Sequence, residues 1–192
     1  MNKARKATVD LGRYRRIHIG IEPMSLSSAA RFLVSSLLVS HGVREDTAAV
    51  ARLRGKDWLL ALGDQLRHLR PDEDTAVGWV KAVIRGKRGL GGILLRNSAM
   101  SISSLIEADT LICVYVSEDA QPHIITGIPP LDRYIFIYIS KRVSTEARGA
   151  LNNFMCSMEL RLGMAEHAYP LAPSIINVLL DRATPELGHP LC

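Results

Sequence analysis

The residues best placed to do chemistry follow an apolar run near position 140. Residues 135–139 read IFIYI, which has the length and the branched, aromatic character of a buried strand. The run ends in Ser140, Lys141 and Arg142, a hydroxyl group followed by two cations. Because ligands in α/β proteins bind beyond the carboxyl ends of such strands, these residues are candidates for contact with a cofactor or with phosphate groups. A solvated loop after a buried strand explains the two cations equally well.

Other stretches that suggest chemistry have simpler explanations. The segment GKRGLGG, residues 86–92, lacks the Lys-Ser/Thr ending of a phosphate loop and precedes a strand instead of a helix, so it reads as a turn. The acidic segment PDED, residues 71–74, is typical of a capped helix start. The six histidines do not cluster with Cys, Asp or Glu at ligand spacing, and we therefore expect no metal site.

Composition bounds the class of protein and its compartment. The chain of 192 residues is 47% hydrophobic, carries a formal charge of +5 and has a pI of about 9.3, which suits nucleic acid among other partners. No apolar segment is long enough to cross a membrane, and the basic start lacks the hydrophobic stretch of a signal peptide. Cys113, Cys156 and Cys192 are far apart in the sequence and odd in number, which predicts reduced thiols and a cytoplasmic protein.

Alternating strand and helix patterns predict an α/β fold with a mainly parallel sheet flanked by helices. A single domain is expected over residues 15–183, with a basic tail at 1–14 and a second tail at 184–192. The segment 47–53 fits a strand or a helical turn. Strands are predicted at 15–22, 57–63, 91–96, 109–117, 135–139 and 157–163, and helices at 26–41, 71–86, 144–155 and 173–183.

Several segments, taken in order, resemble one family. The stretch ARFLVSSLLVSHGVRED (30–46) is similar to the first helix and turn of the archaeal tRNA pseudouridine-N(1)-methyltransferases, which belong to the SPOUT class. LRPDEDTAVGWVKAVI (69–84) resembles the capped middle helix of that family, and GGILLR (91–96) resembles one of its strands. SIINVLLDR (174–182) resembles its closing helix. The order and spacing of these segments carry the resemblance, since no single motif is specific.

The resemblance implies a fold with a C-terminal trefoil knot and a homodimer. It implies that S-adenosylmethionine is bound in the knot and that a methyl group passes to N(1) of a pseudouridine in the T loop of tRNA. The implied partners are tRNA or another structured RNA and a second copy of the chain, without a membrane or a metal ion.

The resemblance also assigns site residues. The family's cofactor loop ends in glycines, and Ile139 and Val143 stand at the two glycine positions in this sequence. A β-branched side chain fills space and resists positive φ, which leaves a non-catalytic knotted dimer that binds RNA or protein as the alternative function. The implied phosphate contacts are Arg31, Arg96, Lys141 and Arg142, and the implied cofactor contacts are Ile139, Ser140, Val143, Leu162, Gly163, Met164, Leu171 and Ala172.

Overall fold

A computed structural model describes most of the predicted domain. The described residues are 11–39, 42–54, 57–66, 73–86, 92–96, 111–120, 131–141 and 156–183, with the backbone alone at Glu73 and at 94–96. The predicted helix at 144–155 and the predicted tail at 184–192 lie outside these residues.

Nine strands are present in the described part of the chain, and seven of them form one sheet in the order β6-β5-β4-β1-β8-β7-β9. Strands β4, β1, β8, β7 and β9 are parallel to one another, whereas β5 pairs antiparallel with both β4 and β6. The strands are β1 (Arg16–Met24), β2 (Leu38–Val39), β3 (Gly42–Val43), β4 (Thr47–Leu53), β5 (Trp58–Leu62), β6 (Ile93–Arg96), β7 (Leu111–Ser117), β8 (Tyr134–Ser140) and β9 (Met158–Gly163).

Three described helices pack on one face of this sheet. They are α1 (Leu26–Leu37), α2 (Glu73–Ile84) and α3 (Ala172–Ala183), and short 3-10 turns occur at Gly63–Gln65 and Glu166–Leu171. The prediction of a mainly parallel sheet flanked by helices is confirmed, and the ambiguous segment 47–53 is a strand. None of these helices combines the length and apolar character needed to cross a membrane.

The central strand β1 explains why the sheet is apolar on both faces. Ile17, Ile19 and Ile21 point into one buried cluster, and Gly20 lies on the opposite face beneath the ring of Phe32. Both sides of a central parallel strand are covered, so its sequence contains fewer polar residues than that of a strand with one face in solvent.

The first helix ends earlier than its pattern predicts. The prediction extended it to residue 41 with Gly42 as the stop, but α1 ends at Leu37, and β2 and β3 then pair antiparallel. The carbonyl of Leu37 accepts a hydrogen bond of 2.7 Å from the backbone N–H of Arg44, so a small hairpin satisfies the helix end. Leu26, the first residue of α1, is 37% exposed.

The prediction that all three cysteines are unpaired thiols is wrong for two of them. Cys113 in β7 and Cys156, two residues before β9, form a disulfide with a Cα–Cα distance of 5.7 Å. They are 43 residues apart in the sequence, and the parallel pairing of β7 with β9 brings them together. Spacing along the chain could not show this contact, because it depends on which strands are neighbours.

The helix α3 is held to the sheet by buried polar contacts. Arg16 in β1, whose side chain is 2% exposed, forms an ion pair of 2.8 Å with Asp181. Arg44 donates two further hydrogen bonds to the same carboxylate, at 3.2 and 2.5 Å. One turn earlier in α3, Asn177 contacts His18 through its side-chain oxygen at 3.3 Å and donates to the carbonyl of Ser36 at 3.0 Å. These contacts fix both the orientation and the register of α3.

Two of these groups have shifted protonation equilibria. Burial, with the nearby charge of Arg16, lowers the pKa of His18 to about 3, so its ring is neutral at physiological pH. Burial raises the pKa of the Asp181 carboxyl, but hydrogen bonds and charge from Arg44 and then Arg16 outweigh it and leave that pKa below its usual value.

The ion pair predicts a pH-dependent loss of stability. Because the pKa of Asp181 is lower in the folded chain, the pair stabilises the fold above the unfolded pKa of about 4 and loses its effect as pH falls through the folded value. Asp181→Asn should lower the free energy of unfolding by about 2 kcal/mol at pH 7, because buried Arg16 loses the nearer of its two carboxylate partners and keeps only Asp46 at 3.8 Å. Urea denaturation between about pH 2 and pH 7 should show a shallower acid loss for this variant than for wild type.

The exposed Glu118 provides a matched control. Glu118→Gln should leave both the stability at pH 7 and the acid profile of the wild-type chain unchanged. An acid profile of Asp181→Asn that matches wild type would contradict the role given to this ion pair.

Candidate functional site at the carboxyl ends of three parallel strands

The carboxyl ends of β7, β8 and β9 meet at one edge of the sheet. Ser140 pairs in register with Val116, and Gly163 pairs with Ser117. Backbone hydrogen bonds extend this alignment beyond the strands, from Lys141 N–H to the carbonyl of Val116 at 3.1 Å and from Met164 N–H to the carbonyl of Ser117 at 3.2 Å. We call this edge, residues 116–120, 140–141 and 163–164, the carboxyl rim. Open α/β sheets bind their ligands at such an edge.

A groove of about 310 Å³ opens at the carboxyl rim. Its volume is at the lower end of the range that small-molecule sites occupy, about 300 to 1,000 Å³. The groove carries an aromatic ring, two cations and one carboxylate among its described walls. These lining residues are Tyr115, Val116, Ser117, Asp119, Ala120, Lys141 and Arg161.

The turn that follows β7 places a carboxylate at the groove. The backbone N–H of Asp119 donates to the hydroxyl of Ser117 at 3.3 Å, and that of Ala120 donates to the carbonyl of Ser117 at 3.2 Å. The carboxylate of Asp119 forms an ion pair with the ammonium group of Lys141, which follows β8. Their side chains are 72% and 57% exposed, so solvent weakens the attraction between them.

The opposite part of the groove is formed by β7 and the edge strand β9. Tyr115 is level with Arg161 in the register, and its hydroxyl donates to Glu159 at 3.5 Å. Burial, followed by the negative charge of Glu159, raises the pKa of Tyr115, so the phenol stays protonated at physiological pH. This wall is an uncharged aromatic ring beside a guanidinium group.

The 3-10 turn before α3 is fixed next to the carboxyl rim. The hydroxyl of Tyr169 donates to the backbone carbonyl of Tyr138 in β8 at 2.7 Å, two residues before Ser140. The carbonyl of Pro170 accepts a hydrogen bond of 2.5 Å from the hydroxyl of Ser35 in α1. The segment that leads from β9 to α3 is therefore anchored on both sides.

The structure brings some of the predicted cofactor contacts together at the rim. Ser140, Gly163 and Met164 lie there, with Ser140 and Met164 partly buried. Ile139 is 1% exposed, and its side chain belongs to the core cluster that contains Ile137.

The remaining predicted cofactor contacts lie in the core or on the surface. Leu162 is 7% exposed and belongs to the core cluster that packs against the helices. Ala172 is fully buried where α3 begins, whereas Leu171 is 48% exposed. Val143 lies outside the described residues.

The predicted phosphate contacts are dispersed. Arg31 is exposed on α1, and Lys141 lies at the rim, where it pairs with Asp119. Arg96 ends β6, which three strands separate from β8. Arg142 lies outside the described residues.

Sequence reasoning missed Tyr115, Asp119 and Arg161. Asp119 follows the end of a predicted strand by two residues, and the argument that selected Lys141 would have selected it also. Arg161 and Tyr115 lack such a signal, because their proximity depends on the pairing of β7 with β9. Among the described residues, no group of three or more His, Cys, Asp or Glu side chains is placed to hold a metal ion.

Comparison with known proteins bears on the fold. No family model matches the sequence, and a comparison with curated proteins gives no match. Among solved structures, the chain is similar to Archaeoglobus fulgidus Nep1, whose crystal structure has S-adenosylhomocysteine bound. The TM-score is 0.54 at 11% sequence identity, and the similarity covers 81% of this chain and 69% of that chain. The fold is SPOUT-like.

The resemblance predicted from the order of the segments is thus confirmed at the level of the fold. In this arrangement the parallel strands β7, β8 and β9 all end at the carboxyl rim. At 11% identity the likeness to Nep1 shows the fold alone.

Proposed function

We propose that this protein is an S-adenosylmethionine-dependent RNA methyltransferase whose cofactor site is the carboxyl rim. The observation that carries the proposal is the groove at the ends of β7, β8 and β9 in a fold shared with a protein crystallised with S-adenosylhomocysteine. The substrate implied by the sequence resemblance is N(1) of a pseudouridine in the T loop of tRNA. The trefoil knot near the C-terminus belongs to the same proposal.

The groove residues fit this cofactor. The groove of about 310 Å³ offers Asp119 for a cationic group and the ring of Tyr115 for a flat surface. Backbone groups near Ser140 and Gly163 would contact the cofactor, which would supply a methyl group on a sulfonium centre. The fixed ends of β8 and β9 would hold it in one orientation, and a positioned methyl group gains reactivity through proximity and alignment.

The RNA would be bound through contacts between its phosphate groups and arginine side chains. The formal charge of +5 favours a polyanion, and Arg31 is exposed on α1. Arg31, Arg96 and Arg142 are the proposed phosphate contacts. Lys141 was predicted as a fourth phosphate contact, but it forms an ion pair with the carboxylate of Asp119.

Ligand binding tests the proposed function directly. Isothermal titration calorimetry of the purified protein with S-adenosylhomocysteine should give a dissociation constant in the micromolar range. ATP is the matched control, because it shares the adenosine but lacks the amino acid, and a merely basic protein would bind it better. Absence of binding at about 1 mM S-adenosylhomocysteine would contradict the proposal and favour the non-catalytic knotted dimer.

We also propose that the active form is a homodimer joined through α3. Ile175 and Val178 in α3 are 39% and 47% exposed, and their spacing places them on one outer side of the helix; Leu171, the last residue of the turn before α3, is 48% exposed. The inner side of α3 is already filled by Ile176, Asn177 and Leu180. A helix with buried residues inside and an apolar stripe outside needs a partner on the stripe, and a second copy meets this need through a two-fold interface.

The proposed interface predicts the effect of placing charges on this stripe. Ile175→Lys combined with Val178→Lys should convert the dimer to a monomer, because both subunits would bring each new charge into the interface, where it would lose its hydration. Light scattering at micromolar concentration measures the mass. Ile84→Lys is the control, since Ile84 is also 39% exposed but lies on α2. A monomeric wild type, or dissociation caused equally by Ile84→Lys, would contradict an interface on α3.

A further inference from the structure

The carboxyl rim has a pair of opposite charges, of which the proposed function uses only the carboxylate. Asp119 comes from the turn after β7, and Lys141 comes from the residue after β8. Both line the groove, and their charged groups are in contact. We propose that these two side chains bind the amino-acid end of the methyl donor, Asp119 its α-ammonium group and Lys141 its α-carboxylate group.

This inference rests on the proposed function and specifies which part of the cofactor the charges contact. An α-amino acid has one positive and one negative group attached to the same carbon, so its charges lie only about 3 Å apart. A carboxylate beside an ammonium group matches that arrangement with the signs reversed. The two ligand groups would replace the contact between Asp119 and Lys141 by two contacts of the same kind.

The setting of the pair favours such an exchange. The side chains are 72% and 57% exposed, and an ion pair between exposed groups contributes little to stability, so opening it is easy. Their backbones are fixed by the turn at Ser117 and by the hydrogen bond from Lys141 to Val116. Fixed backbones with adjustable side chains lower the entropic cost of binding.

The pair is poorly suited to the RNA backbone. A phosphate at Lys141 would lie next to the carboxylate of Asp119, and the two anions would repel each other. A ligand with both signs meets no such repulsion. Arg161, on the β9 side of the groove, adds a second cation and favours the carboxylate end of the ligand.

Two ligands that differ only in the amino-acid end provide the test. S-adenosylhomocysteine has the zwitterion, whereas 5′-methylthioadenosine has the same thioether and adenosine without it. Calorimetry should show that Asp119→Asn weakens S-adenosylhomocysteine about tenfold and changes methylthioadenosine by less than about twofold. Glu118→Gln is the matched control, because Glu118 is the neighbouring exposed carboxylate and is not among the described lining residues. This control should change neither affinity.

A charge swap separates recognition from a purely structural role. Asp119→Lys combined with Lys141→Asp keeps an ion pair between the two segments. In this variant a lysine would face the ammonium group of the ligand, and an aspartate would face its carboxylate group. We expect this variant to lose at least as much affinity for S-adenosylhomocysteine as Asp119→Asn and to retain binding of methylthioadenosine.

Each contrary outcome has a distinct meaning. Unchanged S-adenosylhomocysteine affinity in Asp119→Asn or in the charge swap would overturn the inference and leave the proposed function standing. Equal weakening of both ligands would also overturn it, since the pair would then only shape the loop. Failure of the wild-type protein to bind either ligand would overturn the proposed function together with the inference.

Discussion

The buried guanidinium group of Arg16 is the constraint on which the rest of the structure depends. It lies in the central strand β1 with 2% of its side chain exposed, and a charge in that position must be compensated. Asp181 compensates it from α3 and also binds Arg44, which follows the hairpin of β2 and β3. Three parts of the chain that are distant in sequence are thereby joined at one carboxylate.

The consequences extend along α3 to the carboxyl rim. With Asp181 held at one end of the helix, Asn177 meets His18 and Ser36 one turn away, and Tyr169 reaches the carbonyl of Tyr138 beyond the other end. Because Asn177 and Asp181 make their polar contacts from the inner side of α3, the exposed Ile175 and Val178 are left on its outer side. The same contacts therefore determine where the segment before α3 lies at the rim and which face is available to a second copy.

The strands could be predicted well because their signal is local. Residues 135–139 and 111–116 are apolar in consecutive positions, as strands buried on both faces must be, and both runs lie in strands of the sheet. The end of α1 was not predicted correctly because no stop signal lies next to Leu37 in the sequence. The carbonyl of Leu37 instead accepts a hydrogen bond from the backbone N–H of Arg44, seven residues later. The disulfide and the pairing of Arg16 with Asp181 depend on contacts between distant residues, which no local periodicity encodes.

The site was only partly predictable for the same reason. The rule that ligands bind beyond parallel strands selected Ser140 and Lys141, which lie at the carboxyl rim. The same rule applies to Asp119, which follows a predicted strand by two residues, but it does not select Tyr115 and Arg161, which are adjacent only because β7 pairs with β9. Ile139 was assigned to the cofactor loop from its place in the resemblance, and its side chain lies in the core.

Amide NMR spectra recorded during titration with S-adenosylhomocysteine test the central claim, that the carboxyl rim is the ligand site, most directly. We expect the largest changes in chemical shift at residues 117–120, 140–141 and 163–164, with little change in β5 and β6. Shift changes concentrated in β5 and β6, or an unchanged spectrum at saturating ligand, would contradict it.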